Sequence, residues 1–281
     1  MRRTWGIIAA TALATTLAAC GSPSELAKDN GDTSDLTTIK VGASPVPHAK
    51  ILHYVQENLA ADAGLDIQVT EFTDYNQPNA ALTQGEIDAN YFQTKPFLQE
   101  YLDGNSDADL TWVDDVHLEA FGLYSESLEE IGDLADGAKI GVPNDASNMG
   151  RALKLLADND LLTLKDGADS AATVEDIEDN PRNLDIVPVE AAQLPRSLAD
   201  VDAAVVNGNY ALEADLSESA NVLAWEDTKD NPYANGLVVA ADKADDPDIA
   251  KLDELLHSDE VRTYMEDQWK GVVTPIDADA E

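Results

Sequence analysis

The chain predicts an α/β fold arranged in two lobes. Two observations carry this prediction. Short apolar runs suited to buried strands alternate with stretches whose apolar residues fall at helical spacing. That alternation runs in two series, joined by one long extended segment, 112–124. The first series opens with a strand at 39–43. A helix follows that Pro47 can open and that Ile51, Val55 and Leu59 line at i, i+4 and i+8, until Gly64 ends it. Residues 66–72 alternate as a strand. A short helix at 77–84, a strand at 87–92 and a proline-opened helix at 96–102 come next. The second series holds a strand at 138–142, a helix at 147–157, and strands at 185–189 and 203–206, each leading into a helical stretch. Strands at 221–225 and 237–241 follow. Two amphipathic helices finish the chain. Ile249, Leu252 and Leu256 mark the first; Ser258 caps the second, whose face carries Val261, Tyr264, Met265 and Trp269. This order predicts largely parallel sheets, with 39–122 plus 226–281 as one lobe and 123–225 as the other.

Upstream of the first strand the chain has a different character. Arg2 and Arg3 precede an uncharged apolar stretch, 5–19, that is short of the ~20 residues a membrane span needs. It ends in Leu17-Ala18-Ala19-Cys20, a small-residue cleavage site. Residues 1–19 read as a signal peptide and 20–38, rich in Gly, Ser, Thr and Asp, as a flexible tether. The tetrapeptide resembles the lipobox of bacterial lipoproteins. That resemblance implies a diacylglyceryl group on the Cys20 sulfur, with acyl chains such as palmitate, and an address on the extracytoplasmic face of the cell membrane. The plainer alternative is an ordinary secretory signal with an incidental cysteine.

Composition excludes several classes. The 281 residues hold 17 basic and 55 acidic side chains, a formal charge of −38. So acidic a surface repels phosphate backbones and argues against nucleic-acid binding. Cys20 is the only cysteine, so neither an intramolecular disulfide nor a cysteine-rich metal site can form. Beyond residue 19 there are four arginines, Arg151, Arg182, Arg196 and Arg262, and any anion site has to draw on them.

Catalytic and metal motifs are missing too. The histidines, His48, His53, His117 and His257, form no H-E-x-x-H pattern, and His48 and His53 read as surface or packing residues on the first helix. There is no G-x-S-x-G elbow, no phosphate loop and no G-x-G-x-x-G after the first strand. Asp103, Asn105, Asp107 and Asp109 alternate like calcium-loop ligands, but Ala108 replaces the turn glycine and Asp114 stands where a bidentate Glu is required. We read a solvated loop there. The expectation is therefore no catalytic residues, no metal and no cofactor.

What remains is a set of aromatics, asparagines and one arginine at strand–helix junctions, where open α/β sheets bind ligands. Tyr75 follows the second strand; Tyr91, Phe92, Thr94 and Phe97 cluster around the third. Asn148 and Arg151 open a helix, Asn207 follows a strand and Asn235 precedes one. The set suits a free amino acid. A guanidinium binds a carboxylate through both oxygens, and a helix N-terminus adds to the attraction. Asparagine carbonyls accept from an ammonium, and aromatic walls enclose an apolar or thioether side chain. Each has a plainer alternative: Phe92 and Phe97 as core, Arg151 paired with one of the many acids, Asn207 and Asn235 as turn residues.

These segments resemble the methionine-binding lipoproteins of ABC importers, the NlpA/MetQ family. Ile39-Lys40-Val41-Gly42, Gly85-Glu86-Ile87-Asp88-Ala89-Asn90, Val142-Pro143-Asn144-Asp145, Gln193-Leu194-Pro195-Arg196-Ser197-Leu198 and Asn231-Pro232-Tyr233-Ala234-Asn235 recur in that order. The resemblance implies a two-lobed periplasmic-binding-protein fold of type II-like form, with the ligand in the cleft between lobes. It implies Tyr75 and Phe92 along the side-chain pocket, Arg151 on the carboxylate, and Asn148, Asn207 and Asn235 as further polar contacts. Two positions depart from the pattern: Thr94 stands where His is common, and Ala120 where proline is frequent. The implied partners are L-methionine or a related amino acid, an ABC permease and its ATPase, and the membrane through the lipid anchor. The implied function is capture for import, without catalysis. A methionine-containing dipeptide as ligand, or a surface lipoprotein with an adhesive or signalling role, are the alternatives; a secreted hydrolase fits worst.

Overall fold

A computed structural model describes residues 36–168, 171–229 and 231–277. The signal peptide, Cys20 and the tether as far as residue 35 lie outside the described residues. Among the described residues no helix is long and apolar enough to cross a membrane.

Strand β1 (Thr37–Ala43) starts two residues before the expected boundary, so residues 37 and 38 belong to the sheet and not to the tether. The turn Pro45–Ala49 feeds helix α1 (Lys50–Asn58), and β2 (Leu65–Glu71) pairs parallel with β1. Helix α2 (Pro78–Thr83), strand β3 (Ala89–Thr94) and helix α3 (Lys95–Gly104) follow, both helices opened by proline. Strand β4 (Leu110–Glu119) leads through Ala120 and Phe121 into β5 (Gly122–Ser125), which belongs to a second sheet.

That second part contains β6 (Lys139–Pro143), α4 (Ala146–Asp158), the small pair β7 (Thr163–Leu164) and β8 (Ile177–Asp179), and β9 (Asp185–Val189). It continues with α5 (Leu194–Ser197), β10 (Ala203–Val206), α6 (Gly208–Glu213), α7 (Leu216–Ser219) and β11 (Asn221–Trp225). The chain then returns through 226–234 to the first sheet as β12 (Asn235–Ala240). Helices α8 (Pro247–Leu256) and α9 (Asp259–Trp269) and strand β13 (Val273–Pro275) complete it. Ser258 caps α9 as the sequence predicts, accepting from the Val261 amide, and the structure adds caps at Asp145, which accepts from Asn148, and Asp246, which accepts from Asp248.

The first sheet runs β13-β4-β12-β3-β1-β2 and the second β11-β5-β10-β6-β9. Both are mixed, which corrects the expectation of largely parallel sheets. In the first, β3 and β4 run the same way, but β12 arrives from the other sheet and slots between them, antiparallel to both. In the second, β5 arrives from the first sheet and pairs antiparallel with β10 and β11. Strands linked by helices stay parallel: β1 with β2 and β3, and β6 with β9 and β10.

Helices cover both faces of each sheet. Below the first, Val41, Ile51, Leu52, Leu252, Val261 and Met265 form one core; on its other face Leu82, Ile87, Leu98 and Val238 form another. The second sheet is sandwiched by a core around Ile140, Leu153 and Val205 and one around Leu194, Ala204 and Tyr210. The two passages between sheets touch, the Glu226 amide donating to the Phe121 carbonyl at 2.9 Å.

Candidate functional site

A narrow cavity lies between the two sheets, with about 330 Å³ of empty space in all, counting the part open to solvent. Of the sequence-predicted residues, Tyr75, Phe92, Thr94, Phe97, Asn148, Arg151, Asn207 and Asn235 line it, joined by Gln93, Glu119 and Gly208. Tyr91 does not. Gly236 pairs with Gln93 and Leu237 with Tyr91, so Phe92 is the extra residue of a bulge. Tyr91 instead packs in the core, its hydroxyl bonded to His117 Nδ1 and its ring edge-on to His48.

The aromatic wall is made of Tyr75, Phe92 and Phe97, with ring centroids 5.5–5.9 Å apart. Tyr75 also leans on Tyr210 and bonds through its hydroxyl to Asn209 Oδ1 on the opposite side of the cleft. Burial pushes the Tyr75 hydroxyl up, so it stays a neutral donor. Thr94 caps α3, its Oγ1 3.4 Å from the Phe97 amide. Arg196 and Gln193 border a neighbouring groove rather than the cavity.

Arg151 is 4% exposed and doubly held. Its Nε and Nη2 donate to the two Glu226 oxygens at 2.7 and 2.6 Å, a bidentate pair. Its guanidinium lies 4.2 Å from the Phe121 ring centre and 4.4 Å from that of Tyr233. Arg151 thus lines the cavity and pairs with an acid at once; Nη1 takes no part in the pair. Of the other arginines, Arg182 donates to the Leu134 carbonyl and Arg262 pairs with Asp277.

The expected help from the α4 N-terminus is not available. Glu100 of α3 accepts from the Ala146 and Ser147 amides at 3.0 and 2.8 Å, and Asp145 takes the Asn148 amide. The first-turn donors of α4 are therefore spent on two carboxylates of the protein itself. Asn148 passes its side-chain amide to Asp145 and accepts from Asn207 Nδ2 at 2.8 Å.

Under the cavity floor lies a polar cluster that sequence reasoning missed. Of the two expectations for His48, surface or packing, burial bears out packing, and the residue sits in the turn before α1 rather than on the helix itself. Its Nε2 lies 3.1 Å from Asn235 Oδ1 and 3.3 Å from Glu119 Oε1. His117 Nε2 lies 3.0 Å from the same Glu119 oxygen. Burial holds both imidazoles neutral, His48 down to about 4 and His117 down to about 3, while it pushes the Glu119 carboxyl up. With Tyr91 donating to His117 Nδ1, the neutral ring carries its proton on Nε2 and donates to Glu119. A second network joins Asn79, Asn90 and Gln93 at 2.7–2.9 Å. The signal for part of this was present: His117 and Glu119, two apart on a strand, share a face.

Among the described residues two groups bring potential metal donors within 4.8 Å of each other: His48-His117-Glu119 and Asp114-Asp253-His257. In the first, His117 Nε2 already bonds to Glu119 and His48 Nε2 to Asn235. In the second, both His257 nitrogens bond to backbone carbonyls of Asp253 and Asp115. Asp103, Asn105, Asp107 and Asp109 belong to neither group.

Comparison with known proteins fits this geometry. The profile of the NlpA lipoprotein family matches residues 39–277. The methionine-binding lipoprotein MetQ of Bacillus subtilis (strain 168) is 36% identical over 263 residues, 92% of this chain and 93% of that protein. The structure of a nutrient binding protein from Burkholderia cenocepacia bound to methionine is 40% identical, with a TM-score of 0.80, covering 84% of this chain and 99% of that one. The periplasmic substrate-binding protein of an ABC transporter from Coxiella burnetii is 36% identical, with a TM-score of 0.80, covering 85% of this chain and all of the other, 100%. On the family match and these identities, the chain belongs to the NlpA lipoprotein family.

Proposed function

We propose that this protein captures L-methionine, or a close analogue, outside the cytoplasm and delivers it to an ABC importer, without chemical turnover. The observation that carries the reading is the cavity's division of labour. Arg151, paired with Glu226 through Nε and Nη2, has Nη1 outside that pair for a ligand carboxylate, and the rings of Tyr75, Phe92 and Phe97 offer a thioether the sulfur–aromatic contact it favours. The methionine named for the Burkholderia cenocepacia structure and the transporter named for the Coxiella burnetii one support it.

In this reading residues 39–122 with 226–281 and residues 123–225 move as two lobes about the paired passages at Phe121 and Glu226. Ligand that touches both sides favours the closed form by its differential affinity. The closed form then docks on a permease driven by a separate ATPase. Residues 1–19 are removed and lipid on Cys20 keeps the protein at the membrane. Because Thr94 stands where the family pattern commonly has histidine, a methionine-containing dipeptide is the alternative ligand.

Calorimetry after unfolding and refolding to strip bound ligand tests the proposal. L-methionine should bind and be recovered unchanged. Absence of heat and of any thermal shift at millimolar ligand would refute it.

A further inference from the structure

Glu119 brings into the cavity a carboxylate for which the reading above has no use. It is 5% exposed, yet every partner it has is a neutral donor. Oε1 accepts from His117 and lies 3.3 Å from His48 Nε2, and Oε2 accepts the Asn209 amide at 2.7 Å. Among the described residues its ion-pair contacts are with those two histidines alone, and burial keeps both rings uncharged. Charged or titratable neighbours reach it from other elements: Arg151 of α4, committed to Glu226, Tyr75 before α2 and Tyr91 of β3. A buried carboxylate in such company is stabilised by a cation or else takes up a proton.

A second acceptor stands beside it. Asn207 spends its Nδ2 on Asn148, while its Oδ1, buried and on the cavity wall, has no hydrogen-bond partner among the described residues. Both residues line the same cavity, and Gly208, next to Asn207, packs against Glu119: a Cβ added to it would sit 3.0 Å from Glu119 Oε2. The cavity lining therefore holds a carboxyl group and an amide oxygen to spare, and no lysine.

We propose that Glu119, together with Asn207 Oδ1, is the acceptor for the ligand's primary ammonium group, and that it restricts the site to ligands with a free amino group. The inference rests on the amino-acid reading and deepens it. With Arg151 for the carboxylate, the site then matches both charges of a zwitterion, and the asparagines no longer carry the ammonium alone.

The test is calorimetry with two ligands, L-methionine and 4-(methylsulfanyl)butanoate, the same molecule without its ammonium. The unsubstituted protein should prefer L-methionine by about 100-fold or more. In Glu119→Gln that preference should shrink by about 10-fold or more, while affinity for the des-amino ligand changes little. A purely structural Glu119 would weaken both ligands alike and leave their ratio standing. Equal affinity of the unsubstituted protein for both ligands, or an unchanged ratio in Glu119→Gln, overturns the proposal and leaves the methionine reading intact. No binding of L-methionine to the unsubstituted protein overturns the reading and the inference with it. Should Glu119→Gln not fold, Glu119→Asp, which withdraws the carboxylate by one methylene, is read in the same way.

Discussion

The two walls of the cavity are finished to different degrees. On the first-sheet side, three rings pack on one another and the polar groups behind them are joined into two networks; of their buried polar atoms, His48 Nδ1 is without a partner. On the second-sheet side, Asn207 Oδ1 on the cavity wall and Ser147 Oγ and Asn209 Nδ2 behind it are buried without hydrogen-bond partners among the described residues. Buried polar groups are normally paired, so such a concentration marks where bonds are still to be made. In the proposed reading the first wall sets shape, and the second, through Asn207 Oδ1, keeps hydrogen-bonding capacity for a ligand. Arg151 stands between these conditions, tied to Glu226 through one edge of its guanidinium.

The largest expected effect breaks that tie. Arg151→Ala leaves the Glu226 carboxylate, 14% exposed, without its counter-ion. Urea denaturation should show a loss of about 3–5 kcal/mol, and L-methionine affinity should fall by about 100-fold or more. Affinity equal to that of the unsubstituted protein would remove Arg151 from the binding role.

The finished wall should be the acid-sensitive one. Native His48 and His117 bind protons only near 4 and 3, whereas unfolded histidines do so from 6.5 downward. The unfolded state therefore takes up more protons as the pH falls from 6.5 towards 4, and stability drops over that window. Glu119, pushed up by burial, acts in the opposite sense, holding a proton in the native state that the unfolded chain has lost. Comparison with His48→Asn separates these effects. The variant should lose stability more slowly between pH 6.5 and 4.5, by about 1 kcal/mol per pH unit. Parallel pH profiles would show that His48 is not the neutral buried ring described.

Close packing between the walls gives the next effect. In Gly208→Ala the new Cβ would stand 2.7 Å from both the Ala120 carbonyl oxygen and Glu119 Cβ, and backbone cannot step aside cheaply. A loss of about 1–3 kcal/mol is expected in urea denaturation, with weaker ligand binding as Glu119 shifts. The smallest effect belongs to Thr94→Ala. Its capping bond is long at 3.4 Å, so α3 should lose only about 0.5 kcal/mol. A change of several kcal/mol would mean that Thr94 does more than cap.

The sequence made much of this legible wherever the governing interaction is local. The Ser258 cap, the proline that opens α3 and the apolar faces of α8 and α9 all act within about four residues. Placing Tyr75, Phe92, Asn148, Arg151, Asn207 and Asn235 at strand–helix junctions used the same kind of information, and the fold gathers these six around one cavity. Tyr91 shows the limit of that logic, because a bulge, not alternation, decides which of two adjacent aromatics reaches the cleft.

What only the tertiary structure decided lies in partners far apart along the chain. Glu100 fills the N-terminus of α4 from 46 residues away, Glu226 grips Arg151 across 75, and His48 meets Asn235 across 187. In a chain with 55 acids, nothing local distinguishes Glu100, Glu119 or Glu226 from the solvated carboxylates around them. Local rules settle which segments become helix or strand, since those choices depend on near neighbours. Which carboxylates are buried, and against which donors, depends on how the two sheets close on each other, and that is a property of the packed whole.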